Sequence, residues 1–205
     1  MKPILLVGGG GHCHACVDVI EAEGIFTIQG IVEESDREYE TVLGYPVVGS
    51  DSDLARLLES TPTALVSVGQ IRSPTTREML HDLLVELGAD LPVIISPASY
   101  VSRHSSIGDA TIVMHGAIVN TLASVGRNCI IISQALIEHD AVIGNHCHIS
   151  TGARVNGAAE VGAGTFIGSG AVLREGVRIG KDCVVGAGAI VLDDVPDDTR
   201  FVAMP

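Results

Sequence analysis

From Val101 onward the chain keeps a strict beat of six. The positions Val101, Ile107, Val113, Val119 and every sixth residue after them to Val191 are all Val, Ile or Leu, sixteen in unbroken succession. Four places after each stands a small residue, from Ser105 and Thr111 through Cys129, Cys147 and Cys183 to Ala189, with Val177 the one exception among fifteen. A period of six fits neither a 3.6-residue helix nor a long alternating strand. It fits a solenoid in which each hexad forms one short strand, the branched residue points inward and the small residue fills a crowded corner. Three hexads then close one triangular coil of eighteen residues. Glycine often follows the inward position, as at Gly144 and Gly168, which predicts a turn there with positive φ.

Before that beat begins, apolar runs alternate with helical patterns. Ile4–Val7 reads as a strand that stops at Gly8, Gly9, Gly10 and Gly11, a helix follows from His12 to about Ala22, and Ile25–Val32 forms a second strand ending in Glu33 and Glu34. Asp51–Leu58 reads as a short capped helix, Ala64–Val68 as a strand, and Ser73-Pro74 opens a helix that runs to Leu87 and stops at Gly88. Val93–Ile95 closes the set. Strands alternating with helices predict a small, Rossmann-like parallel sheet that binds ligands at the carboxyl ends of its strands. Two domains are therefore expected, residues 1–97 as the α/β unit and 98–205 as the solenoid.

Composition narrows the function. With no Trp, three Phe, three Tyr and 24 Gly in 205 residues, the core must be aliphatic and rich in turns. A net charge of −13 with no Lys/Arg cluster argues against nucleic acid as a partner. No apolar run approaches the roughly 20 residues of a membrane span or suits a signal segment, and five Cys, an odd number, point to a reducing compartment. A cytoplasmic location is expected.

Three groups of residues are candidates for chemistry. Gly8–His12 lies between a strand and a helix, where main-chain N–H groups hold a phosphate or where glycines simply permit close packing. Glu33 and Glu34 stand where such sheets often place a ribose-binding carboxylate. Cys13 and Cys16 form a lone C-x-x-C without a second pair and read as the start of a helix, while Cys129, Cys147 and Cys183 fall on the small inner phase as core fillers. The histidines sort by phase: His139 is two places after inward Ile137 and His148 one place before inward Ile149, so both are expected to face outward. Half a coil separates them, so they would meet only across a subunit contact. His115 and His146 read as bystanders.

The hexads themselves resemble the hexapeptide-repeat acyltransferases, which form a left-handed parallel β-helix. Taken together, the strand-GGGGH-helix start, the acidic pair, the stretch Val68–Arg72 and Ile137-Glu138-His139-Asp140 resemble the NeuD/PglD family of sugar acetyltransferases. That resemblance implies a homotrimer with active sites between subunits, acetyl-CoA as co-substrate and no metal. It implies His139 as general base with Asp140 orienting it, and His148, Ser169 and Ala187 as contacts to acetyl-CoA. Gly10, Gly11, His12, Glu33, Glu34 and Gly69 are implied to hold a nucleotide-linked amino sugar. The activity implied is N-acetylation of the 4-amino group of a UDP-linked 4-amino-4,6-dideoxy sugar in bacterial surface-glycan synthesis, by direct transfer, since no Cys occupies the outer phase. O-acetylation of a sialic-acid-type sugar is the alternative. A γ-class carbonic-anhydrase-like zinc site built from His139, His148 and His115 or His146, and a non-catalytic solenoid, rank behind it.

Overall fold

A computed structural model of the chain describes residues 1–34, 40–71 and 73–202. Arg72, the last residue of the Val68–Arg72 stretch, lies outside the described residues. The N-terminal half contains β1 (Lys2–Val7), α1 (Gly11–Glu23), β2 (Phe26–Val32), β3 (Thr41–Val42), β4 (Tyr45–Gly49), α2 (Leu54–Ser60), β5 (Ala64–Val66) and α3 (Thr75–Glu86). Its sheet runs β3-β4-β2-β1-β5, parallel except for the β3–β4 hairpin. Central β1 is apolar on both faces because both are covered. Ile4 and Leu6 pack with Cys13, Cys16, Val17 and Ile20 of α1, whereas Leu5 and Val7 pack with Leu54 and Leu58 of α2 and Leu80 and Leu84 of α3.

The β3–β4 hairpin escapes the sequence reading. Its two-residue turn is Leu43-Gly44, with φ of 48° and 85°; a leucine in the left-handed region is not a turn signal.

The second half is the expected solenoid. Two-residue strands pair in parallel with those eighteen positions on, as Ile118 with Leu136 and Val119 with Ile137, and they stack into sheets of six, five and seven strands. Every inward residue from Val113 to Val191 is buried, and the small phase from Thr111 to Ala189 is buried with it. Ile94–Ile95 (β6), which the sequence places in the first sheet, pairs instead with Ile112–Val113 as the first rung of the coil. Ile95 is six before Val101, so the beat extends back to it.

One further reading needs correction. Positive φ falls three places after the inward residue, at Asn128, Gln134, Asp140, His146 and Gly152 among others, and at neither Gly144 nor Gly168. Those glycines answer a different constraint: a Cβ on Gly144 would lie 2.6 Å from the Ala163 nitrogen, and one on Gly168 would lie 2.5 Å from the Ala187 nitrogen. The next coil's main chain is too close for any side chain.

The two halves are joined along one solenoid face. Ile112, Met114 and Ile130 of the coil belong to the same apolar cluster as α1 and the sheet. Polar ties cross the seam as well, with Gln70 Nε2 donating to the Gly164 carbonyl at 3.1 Å and His115 Nε2 at 2.7 Å from Asp18 Oδ2. Among the described residues no helix is long and apolar enough to cross a membrane.

The glycine geometry separates two causes of strain. Gly144→Ala is expected to cost about 2–3 kcal/mol through overpacking against the next coil. Gly170→Ala, at φ 66° with open space where its Cβ would sit, is expected to cost only about 1 kcal/mol of left-handed strain. Denaturant unfolding of the two variants checks the order; a larger loss at Gly170 would contradict it.

Candidate functional site

A cleft of about 350 Å³ opens at the carboxyl ends of β1, β2 and β5, lined by Gly8, Val32, Glu33, Glu34, Asp51 and Val68 with Thr76, Met79 and Leu80 from α3. Gly8 has a φ of 105°, and a Cβ on it would sit 3.0 Å from the Val68 nitrogen; only glycine allows this loop to pass so close to β5. Gly10 caps α1 with extended backbone and no side-chain hydrogen bond, and both Gly10 and Gly11 are exposed. The first N–H groups of α1 are therefore open to an anion.

The acidic pair splits in role. Glu33 is only 8% exposed; its Oε2 accepts the Gly9 N–H and its Oε1 the Glu34 N–H at 3.0 Å. It braces the glycine loop, while Glu34 stays exposed at the cleft. Asp51, which the sequence reading missed, joins them on the wall. Burial, then the Glu33 charge, raises the Asp51 pKa. Gly69 packs on His12, a Cβ there coming 3.3 Å from that of His12.

Behind the loop lies a buried polar junction. Arg77, 1% exposed, donates through Nη1 to the Val66 and Val68 carbonyls at 2.9 and 2.6 Å and through Nη2 to Asn128 Oδ1 at 2.7 Å. His12 and His148 flank it. Burial, then Arg77, then His148 push the His12 imidazole down to about 3. His148 points outward from the coil, as its phase predicts, but it is roofed by the N-terminal half and only 8% exposed. Its ring meets Phe166 edge-on at 5.0 Å and lies beside the Gln70 main chain without a well-formed hydrogen bond. Burial lowers it to about 4. His146 pairs edge-on with buried His81 at 5.3 Å, receives the Asn128 amide at 2.9 Å and is lowered by burial to about 4.

His139 sits at a different corner of the coil. Its side chain is 61% exposed, and Nδ1 lies 2.8 Å from Asp140 Oδ2. Its hydrogen bond to the Asp140 carboxylate raises the imidazole's pKa. With Nδ1–H directed at the carboxylate, Nε2 is left as an outward-facing acceptor. Asp140 occupies a left-handed corner position at φ 60°, which Asp tolerates better than most residues. Glu138 steadies the backbone, its Oε2 accepting the His139 N–H at 3.2 Å and the Asn120 amide at 2.8 Å. Gly157, one coil on, forms the floor: a Cβ there would come within 2.8 Å of His139 Cε1 and 2.9 Å of Nε2. The missing side chain of Gly157 is what seats the imidazole.

Ser169 and Ala187 are exposed and stand one coil apart at a third corner, with the Gly188 N–H donating to the Ser169 carbonyl at 2.8 Å and Ser150 Oγ 2.9 Å from Ser169 Oγ. One chain thus gathers Gly10, Gly11, His12, Glu33, Glu34, Gly69 and His148 around the loop and its underside. The His139–Asp140 pair and the Ser169–Ala187 corner lie apart from them. All five cysteines are buried, and among the described residues no group of three His, Cys, Asp or Glu side chains is placed to hold a metal ion.

Residues 3–82 match the PglD N-terminal domain family, and residues 158–193 match the bacterial transferase hexapeptide family of six repeats. Comparison with curated proteins gives no match. Among solved structures, the acetyltransferase domain of PglB from Neisseria gonorrhoeae FA1090 is 30% identical with a TM-score of 0.91, covering 100% of this chain and 98% of that one. A histidine-to-asparagine mutant of perosamine N-acetyltransferase from Caulobacter crescentus, in complex with CoA and GDP-perosamine, is 31% identical with a TM-score of 0.93, covering 100% and 95%. WeeI from Acinetobacter baumannii AYE, 22% identical with a TM-score of 0.84, shares the fold.

The buried imidazoles carry a pH signature. Their folded pKa values lie below the ordinary 6.5, so between pH 6.5 and about 4 the unfolded chain binds more protons and stability falls as pH falls. Thermal unfolding in this window is expected to show a falling Tm, with the slope reduced in His148→Phe. A Tm that is flat from pH 6.5 to 4.5 would contradict the burial of neutral imidazoles.

Proposed function

Because the chain belongs to the PglD-type family of hexapeptide-repeat sugar acetyltransferases, we propose that it transfers the acetyl group of acetyl-CoA to the 4-amino group of a nucleotide-linked 4-amino-4,6-dideoxy sugar, with His139 as general base. The observation that carries this reading is the His139–Asp140 pair: an exposed imidazole, its Nδ1 held at 2.8 Å by a carboxylate and its Nε2 left open.

His139 Nε2 takes the proton that the sugar amine must lose to become nucleophilic. The freed nitrogen pair then attacks the thioester carbonyl carbon, main-chain N–H groups of a coil steady the developing oxyanion, and collapse expels the thiolate of CoA while the acylated nitrogen releases its second proton to solvent. The imidazolium returns its proton to that thiolate, so the base is restored and no acyl-enzyme is needed. Buried cysteines support direct transfer, since none reaches the outer surface.

The cleft and the open end of α1 suit a nucleoside diphosphate, with Gly10, Gly11 and His12 at the phosphates and Glu34 beside the ribose or base. Glu33 contributes by bracing the loop. The resemblance implies UDP, whereas the perosamine relative is seen with a GDP sugar; both are substrates to offer. Exposed Ser169 and Ala187 form a main-chain rail suited to the pantetheine of acetyl-CoA, and His148 is assigned to acetyl-CoA by the resemblance alone. With the His139 corner apart from the nucleotide cleft in one chain, a homotrimer whose sites lie between subunits, acting in the cytoplasm on precursors of surface glycans, completes the reading.

Release of CoA thiol from acetyl-CoA is the assay, with UDP- and GDP-linked 4-amino-4,6-dideoxy sugars as acceptors. Turnover of an amino sugar is expected, falling about 10²–10⁴-fold in His139→Ala and at least tenfold in Gly157→Ala, which keeps both members of the pair but displaces the ring. Turnover of free sialic acid with none on either amino sugar would replace this reading with O-acetylation, and undiminished activity in His139→Ala would remove the general base.

A further inference from the structure

We propose that Arg77 supplies, from inside the fold, the positive charge that holds the diphosphate of the nucleotide sugar at the Gly8–His12 loop, an inference that rests on the nucleotide-sugar reading above.

A guanidinium 99% removed from solvent normally has a carboxylate beside it, because an unpaired buried charge is expensive. Arg77 has none within ion-pair distance among the described residues. Its acceptors are the carbonyls of Val66, Val68 and Asn128 and the side-chain oxygen of Asn128, all neutral, and Nε has no partner. The surrounding titratable groups cannot neutralise it either. His12 and His148 are imidazoles that its field helps keep uncharged, and the Cys16 thiol is pushed up by burial. The Cys129 thiol, which hydrogen bonds and the Arg77 charge draw down against its burial, still donates its proton to the Gly144 carbonyl at 3.1 Å. The counter-charge must therefore come from outside the chain, or the site is built at a loss.

Placement says which anion. Two of the acceptors, Val66 and Val68, lie at the carboxyl end of β5, and Val68 is the residue against which Gly8 packs. The charge thus lies under the glycine loop, on the side away from the cleft that Thr76, Met79 and Leu80 of the same helix line. The cleft wall carries Glu33, Glu34 and Asp51, and the chain carries −13 overall. A diphosphate entering there meets repulsion that the partial charge of one helix end, about half a unit, does not offset. A full charge held in a low-dielectric seam beneath the loop does, and being fixed by four hydrogen bonds it needs no reorganisation when the ligand arrives.

The rival explanation is that Arg77 only staples the sheet to the coil through Asn128. Calorimetric titration separates the two, using UDP and GDP, each beside its nucleoside, on wild type, Arg77→Met, Arg77→Lys and Asn128→Ala. Arg77→Met is expected to weaken both diphosphates roughly tenfold, the effect of one unit charge across about 10 Å at an effective dielectric of about 20, with nucleoside affinity unchanged. Arg77→Lys, which keeps the charge but cannot reach four acceptors, is expected to keep the preference for diphosphate over nucleoside. Asn128→Ala is expected to lower Tm and keep that preference too. Survival of the preference in Arg77→Met, or its loss in both Arg77→Lys and Asn128→Ala, would overturn the inference. If Arg77→Met does not fold, the lysine and Asn128 variants still decide. Wild type that binds neither diphosphate ends the nucleotide reading itself, whereas wild type that prefers diphosphates while Arg77→Met does so equally ends only this inference.

Discussion

Everything in the second half of this protein depends on the main-chain hydrogen bonds that run from each coil to the next at a spacing of eighteen residues. Strands stacked this way sit about 4.8 Å apart, which leaves no room for a side chain at Gly144 or Gly168 and dictates small residues at the inner corners. The same register decides where chemistry can be placed. His139 lies over Gly157 because residues eighteen apart lie one above the other, and the absent Cβ of Gly157 is as much a part of the imidazole's setting as the carboxylate of Asp140. A solenoid of this kind offers rigid corners at fixed intervals, suited to holding two reactants in one geometry.

The first half contributes a different resource, a sheet whose carboxyl edge is closed by a glycine loop and backed by a seam of buried polar groups. Arg77, Asn128, Gln70, His12 and His148 lie where the sheet, α1 and the coil converge. Neutral imidazoles around one cation are a costly arrangement for stability, and such arrangements are commonly found where a ligand is handled. The seam also makes the two halves one body, so that a molecule bound in the cleft is held at a fixed offset from the coil.

Legibility in the sequence was uneven, for physical reasons. The hexad phase is a strict geometric period, so it assigned Ile137, Ala141 and Cys147 inward and His139 outward, and the structure agrees. Phase alone distinguishes inside from outside the coil, and it is silent on what covers the outside; His148 is therefore outward and yet buried. The glycines after the inward positions were read as turn formers because positive φ is the commoner reason for glycine, whereas here close approach of the next coil is the reason. Arg77 and Asn128 were invisible because they are 51 residues apart and meet only once the halves dock. Asp51 stands in a short capped segment that gives no sign of facing a cleft. The bracing role of Glu33 could not be separated from ligand binding, since both require a carboxylate at the end of the same strand.

The central claim is that His139, tuned by Asp140, accepts a proton during acetyl transfer, and the most direct measurement is kcat/KM against pH for wild type and Asp140→Asn. The carboxylate raises the imidazole's pKa, so the free base that the reaction needs forms only as pH rises through a value above the ordinary 6.5. Replacing the carboxylate by an amide is expected to move that ionisation to lower pH, while any limb due to the sugar amine itself stays in place. A profile in which no limb moves between the two proteins would contradict it.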